Sequence, residues 1–483
     1  MARQPGARIF GVETEFGCLV KDGSRPEAAV ELIKDAVFYD FKLGLIDVYA
    51  RDEVFEPVRS GGFLMNGGRL YIDAVGSHLE YATAECQSLK DLVANDRAGQ
   101  KIIQRAIREL GLQDEVSVYN NSVDHFGGHT FGCHENYLVQ MDQDFFTTKA
   151  PLLYPFLVTR QIYAGVGRVG GHVLVGGMAP SYQEMSENPI DYIWVNQIYN
   201  AIPDDSVEYQ LSQRADHILK TIAGRVRFNR ALINPKWEHY YAHDGMHRLH
   251  VLYGEPNQSE YAYALKIGAT HLVLRLLEDE VLGAELTLAS PLQALRQISR
   301  DPAYQWRVQH ADGTPISAID IQREYLKMCQ RYRGESGQND WVLAEWEAVL
   351  DQLEKDPMQL DDRLDWVAKR KILEMYVESE GTTWADDALH SLDMEYHNID
   401  PEQSLYEGWR QMNGMQRVVD ELDVVDAMTD PPQDTRAKGR SEFIQKLIST
   451  GRARNYGIDW SGIVTEMGDV LEMPDPFDTY TLS

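Results

Sequence analysis

Residues 9–17 read Ile9-Phe10-Gly11-Val12-Glu13-Thr14-Glu15-Phe16-Gly17, an apolar segment that carries two glutamates. The segment predicts a short strand. Because successive side chains of a strand point to opposite faces, Glu13 and Glu15 share one face. Carboxylates among Val, Ile and Phe are costly to bury unless they are paired or bind a metal. The segment therefore predicts an acidic site on the face of a sheet.

Two later segments repeat this pattern. Arg69-Leu70-Tyr71-Ile72-Asp73 is a predicted strand with its polar residues on one face, and His78-Leu79-Glu80-Tyr81-Ala82-Thr83-Ala84-Glu85-Cys86 follows it. Clustered carboxylate oxygens are the ligands that Mg²⁺ needs, and nucleotide phosphates supply further ligands. The metal candidates are Glu13, Tyr71 and Glu80, with Glu15 and Glu85 as further ones. The three segments predict an ATP site on a sheet; the alternative is a set of polar edge strands.

Composition excludes several classes of protein. The chain has 483 residues, 43% of them hydrophobic and 25% charged, which is typical of a folded globular protein with more than one domain. No apolar run approaches the ~20 residues of a membrane span, and the first residues lack a signal peptide. Four cysteines without CxxC spacing predict a reduced, cytoplasmic protein. The net charge of −29 disfavours nucleic-acid binding.

The order of predicted elements indicates the fold class. Further strands are predicted at residues 116–121 and 130–141, and a helix is predicted from Ser88, as its N-cap, to Leu110. The later predicted helices are 259–277, 318–332, 341–353 and 363–378. A mixed sheet followed by helices favours an α+β fold over a βαβ series. We expect a catalytic domain at 1–405 and a small C-terminal domain at 406–483, because turn signals occur near Asp400-Pro401.

Known nucleotide and hydrolase motifs are absent. The chain has no GxxxxGK[ST], no GxGxxG between a strand and a helix, no GxSxG and no HExxH. The polar, glycine-rich segment 120–137 instead predicts a loop for phosphates or a carboxylate, although ordinary turns have the same composition. In the strand that follows, His134 and Asn136 share one face, and Glu135 and Tyr137 share the other.

Basic residues are concentrated in the middle of this acidic chain. They are Arg160, Arg214, Arg225, Arg227, Arg230, His247, Arg248 and His250. Such a concentration suits phosphates and carboxylates. The alternative is that these side chains only pair with the many carboxylates of the chain.

These segments together resemble the Pup ligase family, PafA, and its sister family of depupylase/deamidases, Dop. Both are glutamine-synthetase-like carboxylate–amine ligases. The resemblance runs through Gly11–Gly17, Asn66–Asp73, Gly132–Tyr137, Pro155–Gln161, Leu211–Arg214, Arg248–Val251, Asp434–Ala437 and Asp459-Trp460. It implies a mostly antiparallel sheet with packed helices and a small C-terminal domain. It also implies that ATP phosphorylates the C-terminal glutamate of a small Pup-like protein, which is then joined to a lysine of a target protein.

The resemblance also implies residue roles. Asp73 is the catalytic residue, and the Mg²⁺ ligands are Glu13, Tyr71 and Glu80. The ATP contacts are Arg69, Thr83 and Trp460, with Trp460 on the adenine side. Apart from the resemblance, the positive charges of Arg214, Arg227 and Arg248 make them candidate contacts for the modifier. Glu13–Gly17, Ala82–Cys86 and Gly132–His134 are more similar to the ligase than to the depupylase.

The chain departs from the family pattern at several positions. Ala74 is an extra residue after Asp73, Leu79 replaces a proline, and the loop Asn234–Tyr240 differs from its usual sequence. These changes suggest a ligase for a divergent Pup-like modifier. Three alternatives remain: an isopeptide hydrolase on the same fold, a nucleotide-bound regulator without catalysis, and a small-molecule glutamate–amine ligase.

Overall fold

The structure is a computed structural model that describes residues 6–47, 60–73, 78–124, 130–176, 199–224, 230–236, 244–451, 456–465, 468 and 470–481. Its strands are β1 (Phe10–Val20), β2 (Gly44–Ile46), β3 (Gly61–Leu64), β4 (Arg69–Asp73), β5 (His78–Ala82), β6 (Val116–Tyr119), β7 (Cys133–Gln140), β8 (Arg168–Gly176), β9 (Tyr199–Gln210), β10 (Lys220–Ile222), β11 (Ala231–Asn234), β12 (Met246–Val251), β13 (Arg307–Gln309), β14 (Pro315–Ser317), β15 (Tyr456–Asp459), β16 (Gly462–Thr465) and β17 (Val470–Glu472). Its helices are α1 (Glu27–Asp35), α2 (Leu89–Glu109), α3 (Tyr154–Thr159), α4 (Gln161–Ala164), α5 (Glu260–Glu278), α6 (Pro291–Ser299), α7 (Ala318–Cys329), α8 (Gly337–Lys355), α9 (Asp365–Glu380), α10 (Ala388–Glu395), α11 (Leu405–Asn413), α12 (Glu421–Asp426) and α13 (Ala437–Thr450).

Ten strands form one large sheet. Their order is β10-β11-β12-β7-β1-β5-β4-β3-β2, and β6 pairs with the C-terminal part of β1. Strands β10 and β11 run parallel, whereas the other neighbours in the described part of this sheet run antiparallel. The predicted α+β fold with a mostly antiparallel sheet is therefore confirmed.

The two faces of this sheet differ in polarity because its strands alternate. One face carries Val12, Tyr137 and Val251, which are buried in the main hydrophobic core. Helices α2 and α5 contact β1 and β7 and cover this face. Helix α2 begins where the sequence predicts, because Ser88 Oγ accepts a hydrogen bond from the backbone N–H of Asp91 at 3.0 Å. The opposite face is left for the acidic residues.

The predicted helices of the second half are present with shifted ends. Helix α8 begins four residues before the predicted Trp341, because Ser336 Oγ caps it by accepting from the Asn339 N–H at 3.1 Å. The α-helical part of α7 ends at Cys329, and a 3₁₀ turn, Gln330–Tyr332, completes the predicted segment. No helix in the described ranges is both long and apolar enough to span a bilayer.

The C-terminal residues pack in two places. Tyr406 and Trp409 of α11 pack with Ala368 and Tyr396, beside α9 and α10. Helix α13 and the three-stranded sheet β15–β17 share a separate hydrophobic cluster with Leu45 and Phe63 of the large sheet. The small C-terminal sheet thus lies against the β2–β3 edge. The domain division after residue 405 stays a prediction.

Candidate active site

Two carboxylates and a phenol form a row across β1, β5 and β4. Glu15 lies opposite Glu80 in the pair β1–β5, and Glu80 lies opposite Tyr71 in the pair β4–β5. Directly opposed residues project from the same face, with Cβ atoms about 5 Å apart. The row therefore lies on the face that α2 and α5 leave uncovered.

Glu13 lies two residues before Glu15 and is surrounded by nitrogen atoms. Its Oε1 accepts hydrogen bonds from Asn136 Nδ2 at 3.2 Å and Arg248 Nη1 at 3.1 Å. Its Oε2 lies 3.4 Å from His134 Nδ1 and 3.5 Å from His250 Nε2. Burial raises the pKa of Glu13, but its contacts with the two histidines and with Arg248 outweigh burial and hold that pKa well below its usual value. Glu13 is therefore ionised at neutral pH.

Glu80 has the opposite electrostatic environment. Burial raises the pKa of Glu80, and the negative charges of Glu15, Asp73 and Glu13 raise it further. A hydrogen bond with Tyr71 lowers that pKa only in part. The crowding of like charges disfavours an ionised Glu80, and a divalent cation beside it would offset the repulsion. The donor set at this position therefore fits a metal site.

Two overlapping groups of side chains offer ligand atoms for metal ions. Atoms of Glu13, His134 and His250 lie within 4.8 Å of one another. The same holds for Glu15, Glu80 and His134. Because His134 belongs to both groups, the described residues offer two adjacent positions for a cation. Carboxylate oxygens suit Mg²⁺, and the imidazole nitrogens also suit softer divalent ions.

Asp73 lies at the end of β4, at the rim of this acidic cluster. It is opposite His78 in the β4–β5 pair and is half-buried. The ring of His78 packs against Phe131 at 4.6 Å, and its Nδ1 lies 3.5 Å from Glu15 Oε2. Asp73 is therefore close to the proposed metal positions and remains accessible to a substrate.

Arg69 and Trp460 lie on one line that leads away from the metal positions. The guanidinium carbon of Arg69 lies 4.2 Å from the centre of the Tyr71 ring. Phe63 is the cross-strand neighbour of Arg69. The rings of Phe63 and Trp460 meet edge to face, with centroids 4.9 Å apart. These contacts form a continuous surface. Its charged end is Arg69 beside Tyr71, and its aromatic end is Phe63 with Trp460.

Thr83 connects this surface to β1. Its Oγ1 accepts a hydrogen bond from the backbone N–H of Val12 at 3.0 Å. The Thr83 backbone N–H donates to the Val12 carbonyl at 2.9 Å. The hydroxyl thus fixes the strand that carries Glu13, and its proton remains for a further acceptor.

The predicted basic residues have different surroundings. Arg248 binds Glu13 and Asn136, so it belongs to the acidic cluster. Arg214 is buried and donates from Nη1 to the Leu252 carbonyl at 3.2 Å, while its Nε has no hydrogen-bond partner in the described structure. Burial and, to a smaller extent, the nearby charge of Arg214 lower the pKa of Arg230 to about 10, although Glu15 opposes this.

Neither Arg214 nor Arg230 forms an ion pair with a carboxylate among the residues that the structure describes. A buried cation, Arg214, beside the half-buried Arg230, with no ion-pair partner among the described residues, favours an anionic ligand. Arg227, predicted to contact the modifier, lies outside the described residues, as do Arg225 and Ala74.

Two residues of the sequence analysis have structural roles instead. Arg160 makes a two-pronged pair with Glu135, at 2.8 and 2.7 Å, on the covered face of the sheet. Glu85 accepts hydrogen bonds from Arg436, at 2.6 Å, and from Arg440. The interpretation of Glu85 as a further metal ligand is therefore wrong, because its charge is neutralised by two arginines.

Sequence reasoning missed His134 and His250 as members of the metal groups. It placed His134 and Asn136 on one face of β7, and the structure confirms this, since β7 pairs His134 with Glu13 and Asn136 with Gly11. The missing information was which strand lies next to β1. His250 pairs with Asn136 on the following strand, so the long-range order β12-β7-β1 brings it to Glu13.

The chain is similar to known proteins over nearly its whole length. A family model described as Pup-ligase protein matches residues 8–464. A protein from Xylanimonas cellulosilytica named Pup--protein ligase is 35% identical over 474 residues, which cover 94% of this chain and 92% of the relative. A protein of the same name from Kribbella flavida is 34% identical over 465 residues, with the same coverage of both chains.

Two solved structures are similar over nearly the whole chain. One is the crystal structure of the complex between the prokaryotic ubiquitin-like protein Pup and its ligase PafA, with a TM-score of 0.78 and 28% identity, covering 99% of this chain and 90% of that one. The other is PafA in complex with ADP, with a TM-score of 0.72 and 28% identity, covering 94% and 92%. With its acidic sheet face and these matches, the chain belongs to the Pup ligase family.

Proposed function

We propose that this chain is an ATP-dependent ligase that joins the C-terminal glutamate of a small Pup-like protein to lysines of target proteins. Family membership supports this, as do the solved structures of PafA with Pup and with ADP. The observation that carries the proposal is the row of Glu15, Glu80 and Tyr71 beside Glu13, with Asp73 at its rim. Both groups of metal-ligating atoms found among the described residues lie in this cluster.

The proposed nucleotide site uses the line from Tyr71 to Trp460. Mg²⁺ at Glu13, Tyr71 and Glu80 would screen the charge of the phosphates, and Glu15, His134 and His250 are further candidate ligands. In this proposal, Arg69 and Thr83 contact ATP, and Trp460 packs against adenine. The edge-to-face contact with Phe63 supports this role for Trp460, because it fixes the plane of the indole.

The proposed reaction has two steps. An oxygen of the glutamate side chain attacks the γ-phosphorus of ATP, and ADP leaves. The lysine amine then attacks the acyl carbon, phosphate leaves, and the amine proton passes to Asp73. An unperturbed lysine is protonated at pH 7, so a carboxylate at the place of attack makes chemical sense.

Arg214 and Arg230 are proposed to hold the anionic end of the modifier. A C-terminal glutamate carries two carboxylates. Arg214 is buried and Arg230 is half-buried, both near Glu15 and without an ion-pair partner in the described structure. Charge-assisted hydrogen bonds from a guanidinium to a carboxylate are among the strong ones. Arg227 stays a prediction for the same role, and Arg248 contributes by orienting Glu13.

Two further proposals concern the whole chain. The division into a catalytic domain, 1–405, and a small C-terminal domain, 406–483, is supported by the separate hydrophobic cluster around α13 and β15–β17. A cytoplasmic, reducing location is supported by the four cysteines, which are all free.

The function is tested with the purified protein, ATP, Mg²⁺, a Pup-like protein ending in glutamate, and a lysine-bearing target. We expect a covalent product whose mass equals the sum of both proteins less one water, linked at a target lysine. We expect no product without ATP. Conversion of ATP without a conjugate, or a conjugate that forms without ATP, would overturn the proposal.

A further inference from the structure

A charged cluster joins the C-terminal region to the large sheet. Glu85 Oε1 accepts hydrogen bonds from Arg436 Nε at 2.6 Å and Arg440 Nη1 at 3.2 Å, and Oε2 accepts from Arg440 Nη2. Arg436 immediately precedes α13, and Arg440 lies one turn later, so both reach the same carboxylate. Burial raises the pKa of Glu85, but Arg440 and Arg436 lower it to about 2. Glu85 is therefore an ionised anchor.

Arg440 holds Trp460 by two different contacts. Its Nη1 donates to the backbone carbonyl of Trp460 at 2.9 Å. Its guanidinium carbon lies 5.0 Å from the centre of the indole and 5.1 Å from the ring of Phe63. A cation close to an aromatic ring attracts it through the quadrupole of the ring. Arg440 thus fixes both the backbone and the ring of Trp460.

The same guanidinium also reaches the other side of the nucleotide surface. Arg440 Nη2 donates to the carbonyl of Gly67 at 2.8 Å, in the turn before β4 and Arg69. Glu85 follows Thr83 by two residues, and Cys86 exchanges two backbone hydrogen bonds with Phe10 of β1. One side chain therefore connects Trp460 to the segments that carry Arg69 and Thr83.

We propose that Arg440 is a positioning residue for the nucleotide base, held by Glu85 and acting through Trp460. Arg440 is fully buried, so it does not itself contact ATP. It sets the position of the indole relative to the metal and phosphate side of the site. The inference rests on the proposed function, in which Trp460 packs against adenine. Its consequence is that loss of Arg440 weakens contact with the base and leaves contact with the phosphates.

The test compares two variants in which lysine replaces one of the two arginines that bind Glu85. Arg440→Lys removes the contact with Trp460. Arg436→Lys also removes a guanidinium from Glu85, but Arg436 otherwise donates to the Met473 carbonyl and has no hydrogen bond or ring contact with Trp460 in the described structure. The measured quantities are the KM for ATP and the affinities for ATP and for inorganic tripolyphosphate, which lacks the base. We expect Arg440→Lys to weaken ATP binding roughly tenfold, the scale of one base-stacking contact, and to leave tripolyphosphate unchanged. Arg436→Lys should change neither.

Equal losses for ATP and tripolyphosphate in Arg440→Lys would overturn the proposal, as would an equal base-dependent loss in Arg436→Lys. Thermal unfolding shows whether each variant is folded at the assay temperature. If Arg440→Lys does not fold, Glu85→Gln takes its place, and the same base-dependent loss is expected at a smaller size.

Trp460→Ala separates this inference from the proposed function. If Trp460→Ala leaves the ratio of ATP to tripolyphosphate affinity unchanged, the adenine-side role of Trp460 fails. If Trp460→Ala lowers that ratio and folded Arg440→Lys does not, only the positioning inference fails. The double variant Arg440→Lys/Trp460→Ala should have the same ratio of ATP to tripolyphosphate affinity as Trp460→Ala alone, because both changes remove the same contact with the base.

Discussion

His134 on β7 lies directly opposite Glu13 on the neighbouring strand β1, and it belongs to both groups of metal-ligating atoms. We predict that His134→Ala raises the Mg²⁺ concentration needed for ATP binding roughly tenfold or more, because it removes a ligand or a ligand-orienting group. ATP binding titrated against Mg²⁺ measures this. Tyr137→Phe is the control, since Tyr137 lies on the covered face of the same strand and loses only its hydrogen bond to Glu135. If the Mg²⁺ titrations of His134→Ala and Glu13→Gln both match the wild type, the metal site lies elsewhere.

In the proposed mechanism, Asp73 accepts the lysine proton in the step that distinguishes conjugation from ATP binding. We predict that Asp73→Asn binds ATP normally but transfers the modifier to lysine at least roughly a hundredfold more slowly, because the amide cannot accept the amine proton. Single-turnover transfer and ATP affinity are measured on the same preparation. Transfer at the wild-type rate would remove Asp73 from the mechanism.

The faces on which the site residues lie could be predicted from the sequence, whereas the distant partners of Glu85 could not. The alternation of Glu13 and Glu15, and of Arg69, Tyr71 and Asp73, predicts shared faces from a two-residue period alone, and the structure confirms them. Glu85 appears equally acidic in the sequence, but its partners Arg436 and Arg440 lie about 350 residues away, a separation that local periodicity does not report. Its assignment therefore needed the tertiary structure.

Helix α13 and the segment that follows β5 are joined by the charge of Glu85, which makes their association pH-dependent. A pKa lowered from 4.5 to about 2 corresponds to roughly 3 kcal/mol of stability at neutral pH. This contribution is complete above pH 4.5 and is lost as the pH falls from 4.5 towards 2, because the unfolded state takes up the proton first. We predict that Glu85→Gln is less stable by roughly this amount at pH 7, with a smaller difference at low pH. Urea unfolding at both pH values measures it.

A matched carboxylate on the surface is the control for this pH dependence. Glu109 pairs with Arg105 along α2, and both side chains are about half exposed. Glu109→Gln should change the free energy of unfolding by less than about 1 kcal/mol at either pH. If Glu85→Gln behaves like Glu109→Gln, the ion pairs of Glu85 do not stabilise the association of α13 with the sheet.

Helix and strand boundaries were predictable where a local signal exists. Ser88 caps α2 and is visible as a capping residue in the sequence. Ser336 caps α8 in the same way, and the predicted start at Trp341 missed it because apolar periodicity begins later than the helix. The pairing of β7 with both β1 and β12 has no local signal, so the histidine side of the site could not be predicted.

At the scale of the whole molecule, two electrostatic effects oppose each other. The net charge of −29 repels a modifier that ends in carboxylates, whereas Arg214 and Arg230 are proposed to attract it locally. Composition accounts for the repulsion, and the sequence predicted the basic cluster. It did not predict that Arg248 and Arg160 would be used by Glu13 and Glu135, because which arginines are neutralised depends on the folded contacts.

Without Arg230, the electrostatic repulsion between the acidic protein and the carboxylates of the modifier should have more effect on binding. We predict that Arg230→Gln raises the KM for the modifier roughly tenfold and the KM for ATP less, since a charge-assisted hydrogen bond to the modifier is lost. Added salt should raise the KM for the modifier in the wild type by screening local attraction. In Arg230→Gln, added salt should raise the KM for the modifier less, or should lower it, because the repulsion that salt screens then dominates. Arg333→Gln is the control, since it changes the net charge equally at an exposed position whose side chain contacts Gln330. A modifier KM that is equally salt-dependent in all three proteins would place the anion-binding surface away from Arg214 and Arg230.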